Sequence, residues 1–266
     1  MGRRDSDSEE YVEPGTYPRM IQFRLGLSRI HAKADLFHTV FPHVLDLTIV
    51  PRRWYGLVRR CTAWLPMSFQ AVVRRLWPGA FLPSRVVLKK LSRPTECRTE
   101  LFDNEIAMYK HLHALQGKII PEFYGEGSIR EDNGERKRAI VLSVVDGVVA
   151  NFQAVPIPME EFKRRLGVAH GEMLRHGVAY DDVQLNNVIL QEDESGGNGD
   201  GRIVFVDLEH AFLSEPEHAE RRAINLIMDY GYRYRDCLKN WENRQRDGYR
   251  YRDFLKNWEN RQRDGW

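Results

Sequence analysis

Residues 180–190 read YDDVQLNNVIL, and residues 203–209 read IVFVDLE. In the first stretch Asp182 and Asn187, five positions apart, precede a short apolar strand. In the second stretch an apolar strand leads directly into Asp207. Phosphoryl transfer requires one carboxylate that orients a hydroxyl, together with an amide and a second carboxylate that hold Mg²⁺ on the phosphates. The spacing of these two stretches matches that requirement.

The pattern resembles the catalytic loop and the metal-binding segment of the protein kinase superfamily. The resemblance runs from about Val86 to Glu209, in the order strand and lysine, helix and glutamate, strand and turn, helix, Asp/Asn loop, strand and aspartate. It extends in particular to the divergent kinase-like proteins common in fungi. The motifs shared with them are Glu105-x-x-Met108-Tyr109, Leu115-Gln116-Gly117, Ile120-Pro121 and Tyr124-Gly125.

The resemblance implies a role for each of five residues. Lys89 would hold the phosphates of ATP, and Glu105 would aim the head group of Lys89 at them. Asp182 would accept or orient the hydroxyl of the acceptor. Asp207 would be the principal Mg²⁺ ligand and Asn187 the second. ATP and Mg²⁺ are accordingly the cofactors that the resemblance implies.

Two of these roles also have support from the local pattern. Strand alternation places Lys89 on one face with Val87, and Lys90 on the other, which favours Lys89. The alternative is that both lysines are solvated at the end of an edge strand. Glu105 falls within the apolar stripe of its helix, where a carboxylate is costly unless it has a partner. The alternative is a glutamate at the edge of the stripe that reaches solvent.

The chain departs from the family in four places. Tyr180 and Asp181 stand where the loop usually has His and Arg, and Leu208-Glu209 stands where Phe-Gly is typical. With an acidic residue after the metal aspartate, this segment resembles that of the aminoglycoside and choline phosphotransferases. The resemblance therefore implies that the acceptor is a protein or a small molecule. No G-x-G-x-x-G precedes Lys89, and the segment after Asp207 is short. These last two departures favour the alternative of a catalytically inactive pseudokinase that acts as a binding or scaffold module.

Charge is unevenly distributed along a chain whose net charge is only +2. No Asp or Glu lies between Leu47 and Thr95, and ten basic residues do. This segment, residues 47–95, predicts a third function, contact with an anionic membrane or nucleic acid. The three cysteines have no paired spacing, and no long apolar run occurs, so we expect an intracellular, cytoplasmic protein without a transmembrane segment.

The expected fold is α+β, a two-lobed protein-kinase-like fold with a small β-rich N-lobe and a truncated helical C-lobe. Residues 1–18 are predicted to be disordered, and residues 231–266 hold a 17-residue helical segment that occurs twice. The simpler hypothesis for the repeat is a tandem duplication without a dedicated role, and the alternative is a coiled or dimerising tail. The remaining boundaries are residues 19–80, a basic helical extension or part of the N-lobe; residues 81–147, the N-lobe; and residues 148–230, the C-lobe.

Overall fold

A computed structural model describes residues 17–36, 41–92, 94–131, 133–192 and 201–246. The chain forms two compact units. The first consists of Met1–Phe102 and Glu122–Val144, and the second of Asp103–Pro121 and Val145–Trp266. This division differs from the expected boundary at residue 147, because residues 103–121 belong to the second unit.

Helices and strands both contribute to the described residues. The strands are β1 Arg19–Leu25, β2 Ser28–Leu36, β3 Val44–Ile49, β4 Arg85–Lys90, β5 Phe123–Arg130, β6 Arg136–Ser143, β7 Val148–Val149, β8 Val178–Tyr180, β9 Val188–Gln191, β10 Arg202–Phe205 and β11 Ala211–Leu213. The helices are α1 Tyr55–Ala63, α2 Met67–Leu76, α3 Glu96–His111, α4 Met159–Arg175 and α5 Ala219–Arg246. The mixed composition expected from the sequence is confirmed at this level.

The first unit contains a closed antiparallel barrel with strand order β1-β2-β3-β4-β6-β5. Strand β1 pairs with β5 as well as with β2, which closes the barrel. Alternate residues of the strands point into it, so the barrel core consists mostly of small and branched apolar side chains such as Ile30, Ala32 and Leu47.

Strand β4 confirms the strand predicted before the two lysines. Val86 and Leu88 are fully buried in the barrel core, and alternation puts Lys89 on the other face of the strand. Lys89 is nevertheless buried, with 8% of its surface exposed. The Nζ atom of Lys90 lies 2.9 Å from a carboxylate oxygen of Glu131. The two lysines therefore lie in different surroundings.

The prediction of helical segments across residues 19–80 is wrong for residues 19–49, which form strands β1 to β3 of the barrel. Apolar residues alternate with polar ones in this region, and the burial of β2 alternates with the same period of two. The prediction is confirmed further along, where α1 and α2 are separated at Pro66. Residues 19–49 thus belong to the same barrel as β4.

The second unit is built around α4 and two small sheets. Phe162, Leu166, Ala169 and Met173 recur in the sequence at spacings of four, three and four, which predicts one stripe of a helix, and all four are buried in α4. Gly177 follows the helix with φ 72°. Strands β9 and β10 pair with each other in antiparallel register, and residues 193–200 of their connection lie outside the described residues. Strand β7 extends this sheet, and β8 pairs with β11.

Helix α5 packs against α4 and includes the first copy of the repeat. It runs without interruption from Ala219 to Arg246, across the expected boundary at residue 231. The rings of Phe162 and Tyr234 stack with centroids 4.0 Å apart, and Tyr234 is fully buried. The indole of Trp241 donates a hydrogen bond to the carbonyl of Ala154 at 2.8 Å. The first copy is therefore part of the core, and the second copy, residues 248–264, lies outside the described residues.

The described residues contain neither a membrane-spanning helix nor a disulfide. None of their helices is long and apolar enough to cross a membrane. Within the part of the chain that the structure describes, Cys61, Cys97 and Cys237 form no disulfide.

Closure of the barrel depends on Gly127, which pairs with Leu25 where β5 meets β1. A Cβ atom at this position would overlap the carbonyl oxygen of Arg24. Gly127→Ala should therefore lower the free energy of unfolding by about 1–3 kcal/mol, measured by urea denaturation. Gly56→Ala is the matched control, because nothing lies within 4 Å of its Cβ position in α1, so a gain of about 0.5–1 kcal/mol is expected. Equal effects of both substitutions would contradict the proposed close approach.

His170 makes stability depend on pH. Burial lowers the pKa of this α4 histidine from 6.5 to about 4, and neither ring nitrogen has a hydrogen-bond partner within the described residues. His170 becomes protonated below pH 6.5 in the unfolded chain, but only below about pH 4 in the folded chain. The free energy of unfolding therefore falls as the pH falls through this window. Between pH 7 and pH 5 this loss amounts to about 2 kcal/mol.

His170→Leu should remove that contribution, measured as the difference between urea unfolding at pH 7 and at pH 5. Met173→Leu, in the same buried stripe, is the control without a titrating group, and it should keep the wild-type difference between the two pH values. A pH dependence that is identical in wild type and His170→Leu would show that His170 is not its source.

Candidate active site

The loop between β8 and β9 carries Asp182 and Asn187, and its own hydrogen bonds fix its shape. The side-chain amide of Asn187 donates to a carboxylate oxygen of Asp182 at 2.6 Å. The backbone N–H of Gln184 donates to the carbonyl of Asp182, and that of Asn187 donates to the carbonyl of Gln184. Because the amide nitrogen of Asn187 donates this bond, the bond does not occupy the amide oxygen.

Helix α5 holds this loop from outside. The hydroxyl of Tyr230, which is fully buried, donates to the carbonyl of Asp182 at 2.8 Å. One turn after the start of the helix, Arg222 lies 3.8 Å from the carboxylate of Asp181. The position of Asp182 therefore depends on a helix that the sequence assigned partly to a tail.

Helix α3 holds the segment after β10 that contains Asp207. The side-chain amide of Asn104 donates to the carbonyls of Glu209 at 3.0 Å and of Ala211 at 2.7 Å. The hydroxyl of Tyr109 donates to the carbonyl of Val206 at 3.4 Å. Within the segment, the N–H of Glu209 donates to the carboxylate of Asp207 at 3.2 Å. These bonds fix the backbone on both sides of Asp207.

Three carboxylates meet at this segment. Oxygen atoms of Glu105, Asp207 and Glu209 all lie within 4.8 Å of one another. Glu105 has no exposed surface, and the other two are partly buried. Like charges at this separation repel, and burial strengthens the repulsion, so the cluster is stable when a cation lies close to it. Carboxylate and amide oxygens are hard donors that suit Mg²⁺.

The pKa values of two groups near this cluster, Asp182 and Tyr180, are raised. Burial raises the pKa of the Asp182 carboxyl above its usual value, although a hydrogen bond from Gln184 and the charge of His210 oppose this. The charge of Asp207 raises the pKa by a smaller amount, and that of Arg233 lowers it. Burial also raises the pKa of Tyr180 well above its usual value, with Tyr230, Asp207 and Asp182 contributing. A carboxylate with a raised pKa is a better proton acceptor, which suits a general base.

The second unit contains four of the five residues singled out from the sequence. Asp182 lies with Asn187, and Asp207 lies with Glu105, whereas Lys89 lies on β4 in the first unit. The spacing D-x-E indicates Glu209 as a third carboxylate. Sequence reasoning missed Asn104 and Tyr230, whose bonds are made to backbone carbonyls far along the chain, and no local pattern indicates such partners.

Comparison with known proteins gives a limited result. No protein-family model matches the chain, and no curated protein matches it. Among solved structures, the chain is similar to the Rio2 kinase of Chaetomium thermophilum in its ADP/Mg²⁺-phosphoaspartate complex, with 12% identity and a TM-score of 0.44. That match covers 76% of this chain and 53% of the kinase, so this chain spans about half of that structure.

Two further structures show weaker similarity. The PknI kinase domain of Mycobacterium tuberculosis is 22% identical over 51% of this chain and 53% of its own, with a TM-score of 0.35. WbdD, in complex with a kinase inhibitor, is 13% identical over 49% of this chain and 29% of its own, also with a TM-score of 0.35. The chemistry of the site is therefore inferred from its own residues.

The raised pKa of Asp182 predicts that this residue destabilises the folded protein at neutral pH. Near or below pH 3.9 the carboxyl is protonated in the unfolded chain too and costs nothing, whereas above its folded pKa the full cost applies. Asp182→Asn should therefore unfold at a higher temperature than the wild type at pH 7, and the gain should disappear as the pH falls towards 4. The amide oxygen of the variant can still accept the bond from Asn187.

Asp181→Asn is the adjacent control for this thermal unfolding measurement. Its carboxylate is exposed and lies 3.8 Å from Arg222, so removing its charge should give no gain in stability. An equal gain in both variants, or none in Asp182→Asn, would show that the surroundings of Asp182 do not disfavour its charge.

Proposed function

We propose that the chain is an ATP- and Mg²⁺-dependent phosphotransferase with a protein-kinase-like fold. The observation that carries the proposal is the arrangement of hard oxygen donors around Asp207, with Glu105 and Glu209 within 4.8 Å of it. Asn187 adds an amide oxygen that the Asp182 bond leaves available. Mg²⁺ bound by Asp207 and Asn187 would neutralise charge on the phosphates.

Each remaining residue then has a defined task. Asp182 accepts or orients the proton of the acceptor hydroxyl, and its raised pKa suits that task. Tyr230 acts as a positioning residue, because it fixes the backbone carbonyl of Asp182. Lys89 holds the phosphates, a role that rests on the resemblance of its strand to V-A-I-K and on its burial. The acceptor is a hydroxyl of a protein or of a small molecule, and Glu209 favours the small molecule.

A second function has one specific observation in its favour. The connection between β2 and β3, residues 37–43, reads FHTVFPH and contains no glycine. A glycine-rich loop lets backbone N–H groups approach the phosphates closely, and side chains with Cβ atoms limit that approach. This favours a pseudokinase, a kinase-shaped binding or scaffold module without turnover.

Thermal unfolding with ATP, with and without Mg²⁺, tests the nucleotide site. At a hundredfold excess over Kd, binding adds about 2.7 kcal/mol. For a domain of this size, that raises Tm by roughly 5–10 °C. The shift should require Mg²⁺ and should be lost in Asp207→Asn. Asp229→Asn, an exposed carboxylate on α5, is the control that should keep the shift. A folded wild-type protein whose Tm does not respond to ATP and Mg²⁺ would refute the proposed site.

Turnover then separates the two functions. Asp182→Asn should keep the Mg²⁺-dependent shift and lose phosphate transfer from ATP, because the metal ligands remain and the proton acceptor is gone. A wild-type protein that shows the shift and transfers no phosphate, to water or to any hydroxyl acceptor supplied, would instead be the binding module.

A further inference from the structure

The segment between β3 and β4 forms a helical hairpin with exposed apolar side chains. We call it the α1–α2 hairpin, residues 53–77. At its turn Trp64 is 91% exposed and Met67 is 85% exposed, and Leu57 on α1 is 68% exposed. Single exposed apolar residues are common on proteins, but a continuous exposed stretch of them marks an interaction surface.

Helix α2 extends this apolar surface. Phe69, Val72, Val73 and Leu76 recur at i, i+3, i+4 and i+7, which places them on one face of the helix. An amphipathic helix normally buries that face against a core. Here Phe69 is 60% exposed and Val72 is 53% exposed, and no residue of α2 whose burial is described is buried.

The hairpin is nevertheless firmly attached at its base. Tyr55 and Thr62 of α1 are buried. Arg59 donates to the carbonyl of Ala80 and, at 3.2 Å, to that of Leu82, and the guanidinium of Arg74 lies 5.4 Å from the centroid of the Phe81 ring. These contacts fix α1 and α2 to residues 80–82, so the apolar tip is presented on a rigid support.

Every charged residue of the hairpin is positive. No Asp or Glu occurs between Leu47 and Thr95, and Arg53 and Arg60 are exposed on the hairpin. A partner must therefore offer negative charge next to an apolar phase. Two copies of this chain that met through the hairpin would bring arginines against arginines with no acidic residue to compensate, so charge disfavours self-association.

We propose that the α1–α2 hairpin docks on an anionic lipid bilayer. The tip, Trp64 to Met67, enters the boundary between head groups and acyl chains, and Arg53 and Arg60 contact the anionic head groups. Tryptophan favours this boundary because its ring is large and apolar and its N–H is polar. A nucleic acid would satisfy the arginines but would gain nothing from exposed aliphatic side chains such as Leu57 and Val72. The bilayer is the partner that uses both features.

The test is co-flotation of the full chain with phosphatidylcholine vesicles that contain roughly 30% phosphatidylserine. We expect binding that weakens as salt is added and that is much weaker with pure phosphatidylcholine vesicles. Arg53→Glu/Arg60→Glu should lower the partition constant at least fivefold for each arginine, to about 25-fold. Trp64→Ser/Met67→Ser, which retains every arginine, should lower it about tenfold or more.

A charge control and a fold control accompany these variants. Arg175→Glu/Arg221→Glu changes two exposed arginines of the second unit and should bind vesicles like the wild type. All four hairpin residues are exposed, so the melting curves of their variants should match that of the wild type.

Three results would overturn the proposal: no vesicle binding at low salt, an equal loss in the Arg175/Arg221 control, or vesicle binding that is unchanged in Trp64→Ser/Met67→Ser. The last result, together with tight RNA binding that is lost in Arg53→Glu/Arg60→Glu, would assign the surface to nucleic acid.

Discussion

The carboxylates of Glu105, Asp207 and Glu209 lie within 4.8 Å of one another, and Glu105 is fully buried. Three negative charges at this distance destabilise a fold unless a cation balances them. The surrounding structure keeps them together all the same: Asn104 bonds the backbone on one side of the cluster and Tyr109 bonds it on the other. Carboxylate oxygens grouped in this way, on a backbone fixed by hydrogen bonds, offer the hard donors that suit a divalent cation.

The loop that carries Asp182 is stabilised in a different way. Asn187 bonds its side chain, and Tyr230 bonds its backbone from α5. The pKa of Asp182 is raised mainly by burial. Burial of this charge lowers the stability of the fold, and it also makes the carboxylate a better proton acceptor. Residues that are costly to the fold and have a perturbed pKa are common at functional sites.

Sequence patterns predicted the elements whose order is local. The stripe from Phe162 to Met173 has the helical period, and the alternation in β4 separates Lys89 from Lys90. The helical interpretation failed for residues 19–49, where the period of two is present in the sequence, although Ala32 and Ala34 on the barrel face weaken its apolar signal. The patterns could not place Glu105 beside Asp207 either, since that approach joins residues about a hundred positions apart through tertiary packing.

The two copies of the repeat have nearly the same sequence, but the residues that precede them differ. Tyr234 and Trp241 of the first copy bond to Ile157 and Ala154, and the second copy repeats both residues as Tyr251 and Trp258. The two residues that anchor α5 just before the first copy are Leu226 and Tyr230, and their counterparts before the second copy are Asn243 and Asp247. A second copy in the place of the first would bring Asp247, which cannot donate as a carboxylate, to the carbonyl of Asp182. Only the sequence before the first copy therefore supplies the hydroxyl donor for the Asp182 loop, which explains why the first copy is the one that packs on α4.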